Sequence, residues 1–305
     1  MGAGKLREVL QAEYVDYELP TAGEDLRAGY DYNAGRADAP GDYVGVTEQN
    51  DGRYAVGLSV LVGRMGAGDV LDLADLAERY GSELVGITQR QNLLVADVDG
   101  AALDEFLAEP LLETYSPDPH PFMRGSIACT GTEYCSLSIV ETKNRMVRYA
   151  RWLAENVQVP ESVEDFHVHL SGCTASCAQP QIADVSLRGM KTRKDGEPVE
   201  AFDVGLGGGL GENPRFADWV EMRVAADEVP GYIRNLLGVY EAERTDGESF
   251  RGFVEARATE ELEGIAEPEE TSYEDPYMHN TKLTWYPYAE DDSMDASPAP
   301  APADD

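Results

Sequence analysis

The first sustained pattern along the chain begins at Tyr54. The run YAVGLSVLVG over 54–63 is apolar and rich in β-branched residues, which predicts a strand. In AGDVLDLADLAERYG, 67–81, the apolar positions Val70, Leu71, Leu73, Leu76 and Ala77 recur at helical spacing, and Gly81 stands where the helix stops. ELVGIT (83–88) and NLLVADV (92–98) predict two strands around a polar turn, and DGAALDEFLAE (99–109) predicts a second helix. The order β-α-β-β-α is that of a split, ferredoxin-like half domain.

A second α/β stretch follows. CSLSIVETKNRMVRYARWLAENV (135–157) predicts a long helix, FHVHLSG (166–172) a strand, and QIADVSLRGM (181–190) and VEAFDVGLGG (199–208) two more. NPRFADWV predicts a short helix, EMRVAA a strand, and DEVPGYIRNLLGVYEAER (227–244) a helix opened by Asp227. Before Tyr54, KLREVLQAEY predicts a short helix, and a Gly-, Asp- and Pro-rich stretch reads as an extended connector. After about residue 258 the chain turns acidic and ends in EDDSMDASPAPAPADD, a composition expected to stay disordered. YEDPYMHNTKLTWYPYAEDD (273–292) is unexpectedly aromatic for a tail and suits docking on the body or on a partner. The boundaries drawn are a connector over 1–43, a half domain over 44–112, a second domain over 113–258 and an acidic tail over 259–305.

Charge narrows the function classes. There are 58 acidic and 24 basic residues, a formal charge of −34, and only five of the basic residues are Lys. The acids are spread along the whole chain, which suits a halophile's salt-screened interior. Nucleic-acid binding is excluded for want of a basic footprint. No apolar run is long enough to span a membrane and no secretory leader opens the chain, so a soluble, cytoplasmic protein is expected.

The candidate chemistry lies in four cysteines confined to fifty residues: Cys129-x5-Cys135 and Cys173-x3-Cys177. Disulfides do not suit a cytoplasmic chain. Structural zinc favours closer-spaced pairs, and an x5 gap fits it poorly. An iron–sulfur cluster takes four thiolates converging from loops. Spacing alone leaves the cluster ahead of zinc and of unrelated thiols.

The flanking residues carry more. ACTGTEYCSLSIVETKNR followed by HLSGCTASCAQPQIADVSLRG resembles the siroheme-dependent nitrite and sulfite reductases, and the segment from Tyr54 to Val98 is similar to that family's ferredoxin-like half domain. The resemblance covers roughly residues 44–255. It implies an α+β chain: a ferredoxin-like half domain followed by an α/β siroheme- and [4Fe-4S]-binding domain, with a disordered acidic tail. It implies that Cys129, Cys135, Cys173 and Cys177 bind a [4Fe-4S] cluster and that Cys177 is also the axial ligand of the siroheme iron. It implies six-electron reduction of nitrite to ammonia, or of sulfite to sulfide, with ferredoxin as donor; ACTG…C…ETK looks more like the nitrite enzymes. The chain matches the C-terminal half of such enzymes, so an N-terminal-half chain or a homodimer is an expected partner. The alternatives are an iron–sulfur electron-transfer subunit and an inactive fragment of a split reductase.

In that family most substrate-binding Arg and Lys residues come from the other half, which leaves Arg124 and Arg188 as candidates here. The turn TQRQN (88–92) places Gln91 and Asn92 toward the haem by the same resemblance. GLGGGLG (205–211) fails the dinucleotide register, because the third glycine position falls on Leu210. Gly207 and Gly208 are instead candidates for close approach to a cofactor. His167 and His169 share one face of a strand and are expected to pack in the core.

Overall fold

The computed structural model describes residues 9, 11–13, 42–160, 163, 166–210, 214–269 and 271–279. The chain divides into two compact units, Met1–Gly41 and Asp42–Asp305. In the first, the described residues are helical; the expected connector lies otherwise outside the described residues.

The second unit opens with an antiparallel sheet of order β1-β2-β4-β3, formed by β1 (Gly45–Glu48), β2 (Tyr54–Leu58), β3 (Val85–Ile87) and β4 (Leu93–Val98). Helix α1 (Ala67–Tyr80) buries Leu73, Leu76, Ala77 and Tyr80, an i, i+3, i+4, i+7 face, against Val56, Leu58 and Val95 of the sheet. Gly81 ends α1 for a packing reason. Its backbone is not left-handed, but a Cβ there would lie 2.6 Å from the Ala96 carbonyl oxygen and 2.8 Å from Val95 Cγ1. The second helix is shorter than its sequence pattern, α2 (Leu103–Leu107), and inserts Phe106 into the same core.

The predicted first strand is cut at Leu58. The Val60 amide donates to Asn92 Oδ1 at 2.9 Å, and the chain then turns sharply at Val62, which is buried with φ at 53°. A β-branched residue with positive φ is uncommon and costs energy that its surroundings must hold.

The second sheet has the order β5-β6-β7-β8-β9, from β5 (Ser126–Ala128), β6 (Val168–Ser171), β7 (Val185–Lys194), β8 (Glu197–Leu206) and β9 (Asp218–Ala225). β5, β6 and β7 run parallel; β7, β8 and β9 form an antiparallel meander. Helix α3 (Lys143–Asn156) makes the crossover from β5 to β6, and α4 (Val229–Glu243) packs beside it; together with α5 (Phe250–Glu255) they share one apolar core with the sheet.

Three expectations are corrected. The long helix starts at Lys143, not Cys135, because 135–140 is pulled across to the loop after β6: the Ile139 amide donates to the Gly172 carbonyl at 2.9 Å. The Glu141 carboxylate then accepts from the Asn144 amide at 3.1 Å and satisfies the new helix start. Residues expected to form a short helix instead enter β9, where Trp219 pairs with Gly205 and covers the Arg188 guanidinium at 4.1 Å.

The third correction moves the tail. Structure continues past 258 through α6 (Thr259–Leu262) to His279. Tyr273 is buried against Tyr149 with ring centroids 5.4 Å apart, and the Met278 carbonyl accepts from the Glu200 amide at 2.9 Å. Asp275 grips the buried Arg145 guanidinium at 2.7 and 3.3 Å. Part of the aromatic segment therefore docks on the body, and the rest of the expected tail lies outside the described residues.

Candidate cofactor site

Parallel pairing of β5 with β6, with Ala128 opposite Leu170, sends the chain off both strands at the same sheet edge. Cys129 is the first residue past β5 and Cys173 the second past β6. The two loops are tied to each other. The Gly172 amide donates to Cys129 Sγ at 3.2 Å, and the Cys129 amide donates to the Leu170 carbonyl at 3.0 Å. The Thr142 hydroxyl donates to the Cys129 carbonyl at 2.6 Å, and the Cys135 amide closes a tight turn onto the Gly131 carbonyl at 3.0 Å. Beyond Cys177, the Ala178 amide donates to Ser171 Oγ at 3.0 Å, so the second loop folds back on the strand it left. Only glycine fits at 172: a Cβ there would stand 1.9 Å from Ser138 Oγ.

All four cysteines are free thiols; Cys129, Cys135 and Cys173 are partly shielded and Cys177 is exposed. Among the described residues no three His, Cys, Asp or Glu side chains close on a single ion position. Three apolar side chains stand out on the first cysteine loop. Tyr134 and Leu137 are 66% and 71% exposed, and Ile139 is exposed too. Exposed apolar side chains gathered on one loop mark a surface made to be covered.

The half domain reaches the same place. Gln91, at the tip of the β3–β4 turn, donates its side-chain amide to the Ala128 carbonyl at 2.9 Å, one residue before Cys129. Gln91 and Asn92 line a cavity of about 700 Å³ with Val60, Met65, Leu73 and Lys143. Gln91 Oε1, Asn92 Nδ2 and the neighbouring Arg90 Nη1 are buried without a hydrogen-bond partner among the described residues. Buried polar atoms of that kind point to an absent ligand or solvent.

The other candidates separate. Arg124 lies at the start of β5, the end away from Cys129, and its guanidinium is committed to Asp42 at 2.7 and 2.9 Å and to the Val44 carbonyl at 2.7 Å. Arg188 pairs in register with Ser171, two residues from Cys173; it bonds Asp203 at 2.9 Å while its Nε is buried without a partner among the described residues. Gly207 and Gly208 make their close approach to the chain itself: their Cβ positions fall 2.5 Å from Val254 Cγ1 and 2.3 Å from the Gln181 carbonyl oxygen. His167 and His169 are buried, His167 beside Asp184 and His169 with Nδ1 3.1 Å from the Gln179 carbonyl, as expected of core residues. Burial, helped by the nearby His167, pushes the His169 imidazole down to about 3.

Sequence reasoning missed Arg64. It is ion-paired to the buried Glu133 between the first two cysteines, and it donates to Asn144 Oδ1 at 2.6 Å. No local pattern marks it, because it lies 69 residues before Glu133 and only the fold brings the two together.

Residues 47–112 match the model of the nitrite/sulfite reductase ferredoxin-like half domain. Residues 120–269 match that of the nitrite and sulphite reductase 4Fe-4S domain. The chain belongs to the nitrite and sulfite reductase family. The second match continues past 258, in line with the extended body described above. The chain is 52% identical to the assimilatory ferredoxin-dependent nitrite reductase of Haloferax mediterranei over 305 residues, covering 99% of this chain and 52% of that protein. It is 41% identical to the ferredoxin–nitrite reductase of Synechococcus elongatus over 64% of this chain and 38% of that one. In fold it is similar to the NirA protein of Mycobacterium tuberculosis, with a TM-score of 0.67 and 30% identity over 85% of this chain and 46% of that one. The chain thus spans about half the length, or less, of these relatives. No helix among the described residues is long and apolar enough to cross a membrane.

The family's cofactors are a [4Fe-4S] cluster and siroheme. The donor set fits them: four thiols on two interlocked loops at one sheet edge, three exposed apolar side chains on the first loop, and unpartnered buried amides nearby.

Proposed function

We propose that this chain is the cluster- and haem-binding part of an assimilatory, ferredoxin-dependent nitrite reductase. The observation that carries this is the double tie of the first cysteine loop to Gly172 of the second, through Cys129 Sγ and the Ile139 amide, at the shared edge of β5 and β6. Cys129, Cys135, Cys173 and Cys177 would hold the cluster, and Cys177, the exposed one, is the thiol open to a second cofactor. When bound, the two cofactors supply single-electron transfer and a metal on which an anion is reduced by six electrons.

The residues of this chain do the positioning. The Gly172 and Cys129 amides and the Thr142 hydroxyl fix the Cys129 side of the site. Gln91 pins the half domain to β5 through its side-chain NH2, which leaves Gln91 Oε1 as an acceptor and Asn92 Nδ2 as the donor that would meet a carboxylate of a tetrapyrrole. Tyr134, Leu137 and Ile139, exposed on the first cysteine loop, would shield a bound macrocycle from water. Arg188, over the Trp219 ring and paired with Asp203, places a guanidinium near the second cysteine pair with its Nε still unpartnered among the described residues. Substrate side chains from the part of its relatives that this chain does not span would complete the site. Nitrite is favoured over sulfite because the two nitrite reductases above share 52% and 41% of aligned residues with it.

The test is anaerobic reconstitution at molar salt with iron, sulfide and siroheme, with and without the N-terminal half of a relative supplied as a separate chain. Four irons and four sulfides per chain, a coupled haem and cluster spectrum, and nitrite turnover in the paired sample are expected. A chain that takes up neither cofactor under either condition refutes the proposal. Cluster without haem in both samples establishes the electron-transfer alternative instead.

A further inference from the structure

Lys143 is one of five lysines in the chain and sits at the first turn of α3, directly after Thr142. Thr142 is itself bonded to Cys129: its hydroxyl donates to the Cys129 carbonyl, and its Oγ1 lies 3.9 Å from Cys129 Sγ. The Lys143 ammonium turns inward and donates to the carbonyl of Val62, the buried residue held at positive φ. Among the described residues it forms no ion pair with a carboxylate, in a chain with 58 acidic residues.

The nearby charges are accounted for. Arg64 repels Lys143, but its own charge is taken by Glu133. Glu141 attracts it from a distance that makes no ion pair, and that carboxylate also accepts from the Thr132 hydroxyl at 3.0 Å and from the Asn144 amides at 3.1 and 3.2 Å. The Cys129 sulfur also lies close enough to act on Lys143 electrostatically. A half-buried ammonium at a helix N-terminus is also on the wrong side of the helix dipole. Three unfavourable features therefore meet at one residue: burial, the dipole and a strained carbonyl partner. They have a common rationale if a strong negative charge belongs beside it.

Resting on the cofactor assignment above, we infer that Lys143 is an electrostatic positioning residue for the cluster, the built-in countercharge on its Cys129 side. Reduction adds one electron to the cluster from the external donor and so one negative charge to the site; a neighbouring cation favours the reduced state. Net charge and hydrogen bonding around a cluster set its potential. Because Lys143 lines the cavity and is shielded, bulk salt screens this effect less than it screens surface charge.

The experiment uses the reconstituted full chain, with the cluster midpoint measured by EPR-monitored titration against dithionite. Lys143→Met is expected to shift the midpoint to a more negative potential at unchanged iron and sulfide content, and Lys143→Arg to keep it within error of the parent. The Met shift is expected to persist at molar salt. An unshifted midpoint in a fully loaded Met variant overturns the inference while leaving the cofactor assignment intact. If the Met variant does not load, the Arg variant decides: a normally loaded Arg variant at the parent midpoint supports the countercharge role, and one with a clearly displaced midpoint overturns it. Failure of the parent chain to load is the separate outcome that sinks the cofactor assignment.

Discussion

Arg145 gives the most direct test of how this fold is held together. Its side chain and those of Glu200 and Asp275 are all fully buried. The guanidinium donates to Glu200 at 2.6 Å, to the Glu141 carbonyl at 2.7 Å, and to both oxygens of Asp275. Replacing Arg145 by Met leaves two carboxylates without their cation. Breaking one buried pair by removing a partner costs about 3–5 kcal/mol. Glu200 keeps Lys191 at 3.2 Å and the Glu141 amide at 2.9 Å, which softens the loss on that side. Burial already holds the Glu200 carboxyl above its ordinary range, so it responds to the loss by taking up a proton. Asp275 retains the Tyr277 amide at 2.8 Å. We therefore expect Arg145→Met to cost about 4 kcal/mol. The assay is urea unfolding at fixed molar KCl, with limited proteolysis to follow release of the segment around Tyr273. The triple variant Arg145→Met, Glu200→Gln, Asp275→Asn removes the three fully buried charges and is expected to recover part of the loss. A single variant within about 1 kcal/mol of the parent, with the segment still protected, refutes the reasoning.

Two further outcomes follow from the geometry. Gly172→Ala forces a methyl group onto Ser138 Oγ and parts the two cysteine loops; overpacking of this kind costs about 1–3 kcal/mol. Cluster content after reconstitution is expected to fall, and Ser138→Ala added to it is expected to restore loading, so equal loading in all three proteins contradicts the interlocked-loop account. His169 is neutral in the folded chain, its imidazole pushed down to about 3, whereas the unfolded chain protonates it near pH ~6.5. Below that pH the unfolded state binds the extra proton, so stability is lost as pH falls, by about 2 kcal/mol between roughly pH 6.5 and roughly pH 5. His169→Gln is expected to flatten that dependence in a pH series of unfolding curves; an unchanged slope shows that another group carries it.

The hydrophobic pattern located the half domain because its elements are short-range amphipathic pieces. Leu73, Leu76, Ala77 and Tyr80 mark the buried face of α1 without reference to anything distant. The pattern failed where a distant partner overrode local preference. The stretch after Cys135 has helical composition, yet the amide of Ile139 is claimed by Gly172, 33 residues on. The acidic residues after 258 look like solvated tail, yet Asp275 answers a guanidinium 130 residues earlier. Arg124 and Arg188 were equivalent in the sequence; the pairing of one with Asp42 and the register of the other with Ser171 separated them.

The sequence by itself determined the four thiols, their spacing and the charge that surrounds them, because ligand identity and net charge are properties of residue type. The tertiary structure decided that the two cysteine loops leave the sheet at one edge, that Gln91 braces the strand before Cys129, and that Lys143 forms no ion pair with a carboxylate among the described residues. Those are relations between residues tens of positions apart, set by strand register and by which buried groups find partners. No local pattern along the chain encodes them.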